Sequence, residues 1–178
     1  MRAKRSAAYH RKVSRTRRQR GYAWEDAIVK RFNGAEGWRA FRLGSPSTGL
    51  PDVLAVGPAG LYAIEAKSGT ATSLTVPADQ IERCLSWTRA FGAYHDRRAV
   101  LAFKFLSKKR TGTGTYESRR LREYFVVWDG SPVDCICTYD GETYARRDGE
   151  RSRIRLARCS LPFATRTPDG PPVKGARG

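Results

Sequence analysis

From Gly21 onward, apolar residues recur at helical spacing. Ala23, Trp24, Ala27, Ile28 and Phe32 fall on one face until Asn33-Gly34 stops the run, which predicts an amphipathic helix. Trp38 to Leu43 alternates and predicts a strand, followed by a Gly/Ser/Pro loop over 44–50. Two apolar runs, 52–56 and 61–67, are joined by Gly57-Pro58-Ala59-Gly60, a common hairpin loop length. Pro77 opens a second helix that turns Ile81, Cys84 and Leu85 inward and ends near Gly92. Residues 98–106 read as a buried strand, the segment LSKKRTGTGTYESRR as a basic loop, and Leu121 to Trp128 as another strand. Beyond Asp129, short strand-like pieces mix with Gly, Pro and Arg, and residues 164–178 read as unstructured. No internal repeat is present. This order of elements predicts an α/β fold with a mixed central β-sheet flanked by helices.

A length of 178 residues with 40% hydrophobic content suits one domain plus tails. No apolar run approaches the roughly 18–20 residues that span a bilayer. The basic N-terminus has no apolar segment behind it, so a soluble, unexported, intracellular (cytoplasmic) protein is expected. Composition divides the chain into a basic, disordered tail (1–20), a core (21–130) and a basic C-terminal extension (131–178) to which no role is assigned. The four cysteines, Cys84, Cys135, Cys137 and Cys159, lack the paired spacing of a zinc ribbon and the density of a disulfide scaffold. Reduced thiols are expected.

Charge changes the picture more than composition does. The chain carries 34 Lys+Arg against 17 Asp+Glu, a net +17. Nine of the bases fall in residues 1–20 with no acid, and nine more in 141–178 against four acids, so the middle is nearly balanced. Basic arms of this kind neutralise phosphates and release counterions, which points to nucleic acid. No amphipathic apolar face accompanies the charge to anchor it in lipid. Arg20 closes the basic tail. The segment with Lys104, Lys108, Lys109, Arg110, Arg119, Arg120 and Arg122 is expected to track a DNA backbone. Its TGTGT stretch lacks a following Gly-Lys-Ser/Thr and is no phosphate-binding P-loop. With His10 and His95 as the only histidines, no Ser/His/Asp or Cys/His set can be built.

The hairpin carries the candidate chemistry. If Val56 pairs with Leu61, Asp52 falls opposite Glu65, with Cβ atoms about 4.5–5.5 Å apart. Lys67, two residues on, projects from the same face. Two opposed carboxylates repel, and a divalent cation relieves that repulsion; Mg²⁺ takes hard oxygen ligands through one or two carboxylates plus water and phosphate. The plainer reading makes Asp52 a turn residue after Pro51 and Glu65–Lys67 a surface ion pair. The Pro-Asp step, the register and the basic flanks favour the site.

Pro51-Asp52 followed by Glu65-Ala66-Lys67 resembles the PD-(D/E)xK nuclease superfamily. Further residues resemble one branch of it, the archaeal Holliday junction resolvases. GYAWE matches the glutamate of their first helix at Glu25. Arg42 and the GSPSTG loop match a basic residue and a serine-containing loop ahead of the Pro-Asp step, with Ser45 and Ser47 as the candidate serines. PADQIE matches a glutamine at the start of the next helix, Gln80. The resemblance runs over residues 20–106 and at most to 128. It implies a restriction-endonuclease-like core and Mg²⁺-dependent hydrolysis of phosphodiesters in four-way DNA junctions, with Mn²⁺ able to substitute. Asp52 and Glu65 would hold the metal, with Glu25 completing its shell directly or through water. Lys67 would orient the attacking water or neutralise developing charge. Gln80 either touches water or phosphate near the metal or is an ordinary helix-start amide, and Arg42 either contacts a phosphate or decorates a strand end. Two cuts on a two-fold junction imply a homodimer, with apolar residues around 85–91 and 121–128 as candidate contacts. Repair and restriction nucleases share most of these residues and form the alternative enzymatic reading. A non-catalytic DNA- or RNA-coating protein is the alternative of another class.

Overall fold

The computed structural model describes residues 7–44, 49–58, 60–112 and 115–166. Helix α1 (Ala7–Asn33) leads into strands β1 (Arg39–Arg42), β2 (Val53–Gly57), β3 (Gly60–Gly69) and β4 (Ser73–Val76), then helix α2 (Ala78–Ala90). Strands β5 (Arg97–Phe105), β6 (Lys108–Arg110), β7 (Tyr116–Ser118), β8 (Arg122–Trp128), β9 (Asp134–Thr138), β10 (Thr143–Arg147) and β11 (Glu150–Ile154) follow. The expected α/β fold with a mixed central sheet is what forms. Its five strands run in the order β1-β2-β3-β5-β8. Only β3 and β5 are parallel, with α2 in the crossover between them; every other neighbour is antiparallel.

The hairpin adopts the expected register, with Val56 opposite Leu61 and Val53 opposite Ile64. Its turn depends on glycine at one point. Gly60 has φ +147°, and a Cβ there would lie 2.3 Å from the Asp96 carbonyl oxygen, a clash that no side chain can relieve.

Helix α1 covers one face of the sheet. Trp24, Ile28 and Phe32, one turn apart, are buried with Trp38, Val53, Ala55, Tyr62, Ile64, Val100 and Phe125. The helix starts at Ala7, well before the boundary expected at Gly21. The stretch 7–20 contains no Gly or Pro and is rich in Ala, Arg, Lys and Gln, good helix formers that need only extend a helix already nucleated by the packed residues. Residues 1–6 lie outside the described residues.

The other face is covered by α2 and a second sheet, β11-β10-β9-β4. The segment after 130, expected as an appendage, is therefore built into the fold: β9 pairs with β4, and Cys135 and Cys137 join Val76, Ile81, Cys84, Leu101, Phe103 and Trp128 in the second core. The chain then returns along the outer edge of β8, where Val127 N–H donates to the Ala157 carbonyl (2.8 Å) and Cys159 N–H to the Phe125 carbonyl (2.9 Å). Phe163 packs edge-on against Phe32, centroids 5.0 Å apart. All four cysteines are buried free thiols, as expected. The basic loop is instead a two-stranded arm, β6 paired with β7. Among the described residues no helix is long and apolar enough to cross a membrane.

One buried charge lies in the α1 face. Glu123, fully enclosed, accepts two hydrogen bonds from Arg31 (2.6 and 3.0 Å) and one from the Arg166 N–H (3.3 Å), with the Lys104 ammonium 3.8 Å away. Removing one partner of such a pair leaves uncompensated charge inside the protein. Glu123→Ala is expected to cost about 3 kcal/mol in urea unfolding, and a loss below about 1 kcal/mol would show that the pair does not hold α1 to the sheet.

Candidate active site

The hairpin brings its acids to one end of the central sheet. Asp52 lies just before β2, and its Oδ2 accepts the Ala66 N–H at 2.8 Å. Its main-chain carbonyl accepts the N–H groups of Leu43 (3.0 Å) and Gly44 (3.3 Å), so the carboxylate is held from two sides. Gly44 leaves that space open: a Cβ there would lie 3.1 Å from Asp52 Oδ1 and 3.2 Å from its Cα. Opposite, Glu65 is only 1% exposed, and its Oε1 meets Lys67 Nζ at 2.5 Å.

Two helices deliver further oxygens. Glu25 on α1 is 7% exposed and lies near enough to Asp52 and Lys67 to feel both charges. Helix α2 crosses over Glu65 with Gln80 in its first turn and Cys84 one turn on; burial raises the Cys84 thiol, and Glu65 and Asp52 add to the effect. Among the described residues, three enclosed oxygens of these side chains have no donor: Glu25 Oε2, Glu65 Oε2 and Gln80 Oε1. Buried polar atoms are normally satisfied, so three bare acceptors around one pair of acids describe a place prepared for a cation or for water.

The acids are held far from their ordinary state. Burial raises Glu65 from 4.5 to about 7, with the Asp52 carboxylate adding to the rise and Lys67 opposing it. Burial also raises Glu25 to about 7, followed by Asp52, with Arg42 opposing. A bound divalent ion would displace the protons these groups otherwise retain. Among the described residues no three His, Cys, Asp or Glu side chains are close enough to enclose an ion alone. Asp52 and Glu65 are the pair that fits one, in keeping with the way Mg²⁺ binds through one or two carboxylates and keeps water elsewhere.

The remaining expected residues divide. Arg42 lies at the entrance, 3.6 Å from Asp26, with its guanidinium 4.8 Å over the Tyr22 ring. Lys108, Lys109 and Arg110 form β6, which leaves the same end of the sheet as the acids, directly after β5. Lys104 turns inward, toward Glu123 and over the Trp24 ring at 4.7 Å. Arg119 donates to the Leu106 carbonyl (2.8 Å) and the Ala71 carbonyl (3.0 Å), and Arg122 to Asp140 (2.7 Å), so both are engaged within the fold. Ser45, Ser47 and the Arg20 side chain lie outside the described residues. Arg83 escaped the sequence reading. From α2 it donates to the Leu50 carbonyl at 3.2 Å, fixing the chain two residues before Asp52. Its place one turn after Gln80 was the available signal.

The family model of archaeal Holliday junction resolvases (Hjc) matches residues 16–121. Among solved structures, the chain is similar to that of Archaeoglobus fulgidus Hjc, described as a Holliday junction resolvase from an archaeal hyperthermophile. The two are 20% identical over 67% of this chain and 84% of that one, with a TM-score of 0.47. No curated protein matches.

The raised acids fix the sign of a pH effect. Groups with an ordinary value of 4.5 and a folded value of about 7 bind protons more tightly in the folded state. The stability they contribute is full below about 4.5 and is lost as pH rises through about 7. In chelator, the melting temperature is expected to fall between pH 5 and pH 8, and Mg²⁺ added at pH 8 should recover part of the fall. Glu25→Gln/Glu65→Gln should flatten the profile; an equally steep fall in that variant would refute the assignment.

Proposed function

The chain belongs to the archaeal Holliday junction resolvase family, and from that premise we propose that Asp52, Glu65, Lys67 and Glu25 form the active site through which it cuts four-way DNA junctions with Mg²⁺. The family's members are metal-dependent nucleases, and this chain is one of them. The observation that carries the site assignment is the hairpin, whose ladder ends at Val53–Ile64 and whose Ala66 N–H holds Asp52 Oδ2 beside the Glu65–Lys67 strand, together with buried oxygens of Glu25, Glu65 and Gln80 that lack donors among the described residues.

Asp52 and Glu65 would hold the ion, with the Ala66 carbonyl as a further oxygen and Glu25 acting through water. Bound there, Mg²⁺ supplies a more acidic attacking water and positive charge for the phosphate in the transition state. Mn²⁺ would substitute, since it takes the same hard oxygens. The Ala66 N–H keeps Asp52 Oδ2 in one orientation, and Arg83 keeps the preceding chain from shifting. Lys67, anchored on Glu65 Oε1, holds a positive charge where negative charge grows on the phosphate. Gln80 offers its bare Oε1 to the hydrogen of a water in the same space. Arg42 and the β6 bases Lys108, Lys109 and Arg110 would meet the DNA backbone on either side. Arg20, on phosphate, and Ser45 or Ser47 of the GSPSTG loop complete the proposed set.

Cutting both strands of a two-fold junction calls for two such sites, which a homodimer supplies. Residues 157–159 line the outer edge of β8, which makes edge pairing through 121–128 less favourable for a dimer. The half-exposed aromatic group Trp87, Phe91 and Tyr94 on and after α2 is the better contact. Light scattering should return twice the 19.9 kDa chain mass; a monomer at working concentration would refute the dimer. DNA as substrate puts the protein's work inside the cell.

Asp52→Asn and Glu65→Gln are each expected to slow cleavage of a labelled junction more than about a hundredfold, the scale of losing a preorganised charged group. Junction binding should persist or tighten, because a carboxylate near phosphate repels it. Unimpaired cutting by either variant, or cutting without divalent metal, would overturn the site. Equal cutting of linear duplex and junction would overturn the junction selectivity alone.

A further inference from the structure

Strands β9 to β11 lie beyond the family match at 16–121, and one face of their sheet has no counterpart in the chemistry above. Directly paired residues share a face of an antiparallel sheet. The rows Cys135–Ala145–Ser152 and Cys137–Thr143–Ile154 turn inward, where both cysteines are fully buried. The alternate rows, Asp134–Arg146–Arg151 and Ile136–Tyr144–Arg153, take the other face, which is covered at Ile136 on β9 and opens to solvent toward β11. Arg151 and Arg153 are exposed, and exposed Arg155 continues the alternation just past the strand.

This face is joined to the active site. Asp134 Oδ1 accepts the N–H of Ala78 at 3.0 Å, in the turn of α2 that also carries Gln80. Its Oδ2 accepts from Arg146 Nη2 at 2.6 Å. Strands lie about 4.8 Å apart, so Arg146 and then Arg151 step away from that turn at roughly 5 and 10 Å.

The arginines are also arranged rather than merely numerous. The Arg151 guanidinium stacks 3.6 Å from the Tyr144 ring centroid, and Arg153 Nη2 meets Glu142 Oε1 at 2.8 Å. Each guanidinium has five donors in a rigid fork, so these contacts fix direction while leaving donors for an anion. Along β11, residues 151, 153 and 155 stand about 6.8 Å apart, an extended row of positive charge suited to a polyanionic backbone. Bases outnumber acids here, and β11 is the sheet's outer strand.

We propose that the outward face of β10 and β11, led by Arg151, Arg153 and Arg155, binds the phosphate backbone of a duplex arm of the junction as it leaves the active site. The proposal rests on the junction-cutting reading for its substrate. It adds a second contact surface that the matched family region does not contain.

The test compares the full-length protein with Arg151→Ser/Arg153→Ser/Arg155→Ser and the matching triple lysine variant. Dissociation constants for a four-way junction are measured in chelator across a salt series. Loss of three phosphate contacts should make the slope of log K against log[salt] shallower by about 2 to 3. At 0.1 M salt, Kd should rise at least about tenfold, and the loss should be larger in Kd than in single-turnover rate at saturating protein. The lysine variant should recover most of the slope, since phosphate neutralisation needs charge and not the fork. Arg151→Glu alone, which breaks no ion pair in the described residues, guards against a folding defect in the triple and should weaken binding in the same direction.

An unchanged slope would overturn the proposal. So would weaker binding that follows a fall in melting temperature and is not recovered by lysine. If the wild-type protein fails to cut the junction in Mg²⁺, the active-site reading falls instead, and the salt slopes still report on this face.

Discussion

The structure turns on the repulsion between two carboxylates. The hairpin ladder runs to Val53 opposite Ile64 and so brings Asp52 beside the strand that carries Glu65, close enough for the Asp52 charge to push the Glu65 carboxyl up. Lys67 meets one oxygen of Glu65 and the Ala66 N–H meets one of Asp52, while Glu65 Oε2 has no donor among the described residues. Holding Glu65 in this way costs folding free energy above its raised pKa, because burial and the neighbouring Asp52 charge both favour its protonated form. A divalent ion bound beside such a group would remove that cost and displace the proton.

A second buried glutamate shows what full compensation looks like. Burial pushes Glu123 upward as it does Glu65, yet the bonds and charge of Arg31, the Arg166 N–H and Lys104 bring it below its ordinary value. The two residues have the same side chain and similar burial, and opposite protonation behaviour. The difference is a bidentate arginine in one place and a second carboxylate in the other. The compensated pair, with the Trp24 indole donating to the Ala102 carbonyl at 3.3 Å, fixes α1 to the sheet. Glu25, one residue beyond Trp24, is thereby carried to the uncompensated pair.

This division explains which parts could be read from sequence. The hairpin was legible because a four-residue turn between two apolar runs leaves one sensible register, and register alone places Asp52 against Glu65. The helix face of Trp24, Ile28 and Phe32 was legible from its period. The second sheet was not. Its strands are five residues or fewer, and β10 and β11 carry four exposed arginines, so the strand-like pieces after Asp129 show no amphipathic pattern strong enough to pair them into a sheet. Lys104 and Arg119 had the composition of DNA contacts but were drawn inward by Glu123 and by the carbonyls of Leu106 and Ala71. Charge counts cannot report such partners, because they are distant in sequence. Arg83 looked like ordinary helix surface for the same reason: its partner, the Leu50 carbonyl, belongs to a loop thirty-three residues earlier.

The C-terminal segment bears on the site through α2. That helix has no side-chain cap of its own at Pro77, and the Asp134 carboxylate, from β9, accepts the Ala78 N–H in place of one. A carboxylate at a helix N-terminus is favoured by the helix dipole as well as by the hydrogen bond. The same side chain binds Arg146, so the first turn of α2 and the outward arginine row share one anchor. Because Gln80 lies in that turn and Arg83 in the next, the segment beyond the family match helps to set where α2 stands over Glu65. A chain that acquired this sheet only as a DNA-binding appendage would not need it to supply the helix with its missing acceptor. Here one carboxylate does both, and the position of Gln80 becomes coupled to the surface that the duplex arm would meet.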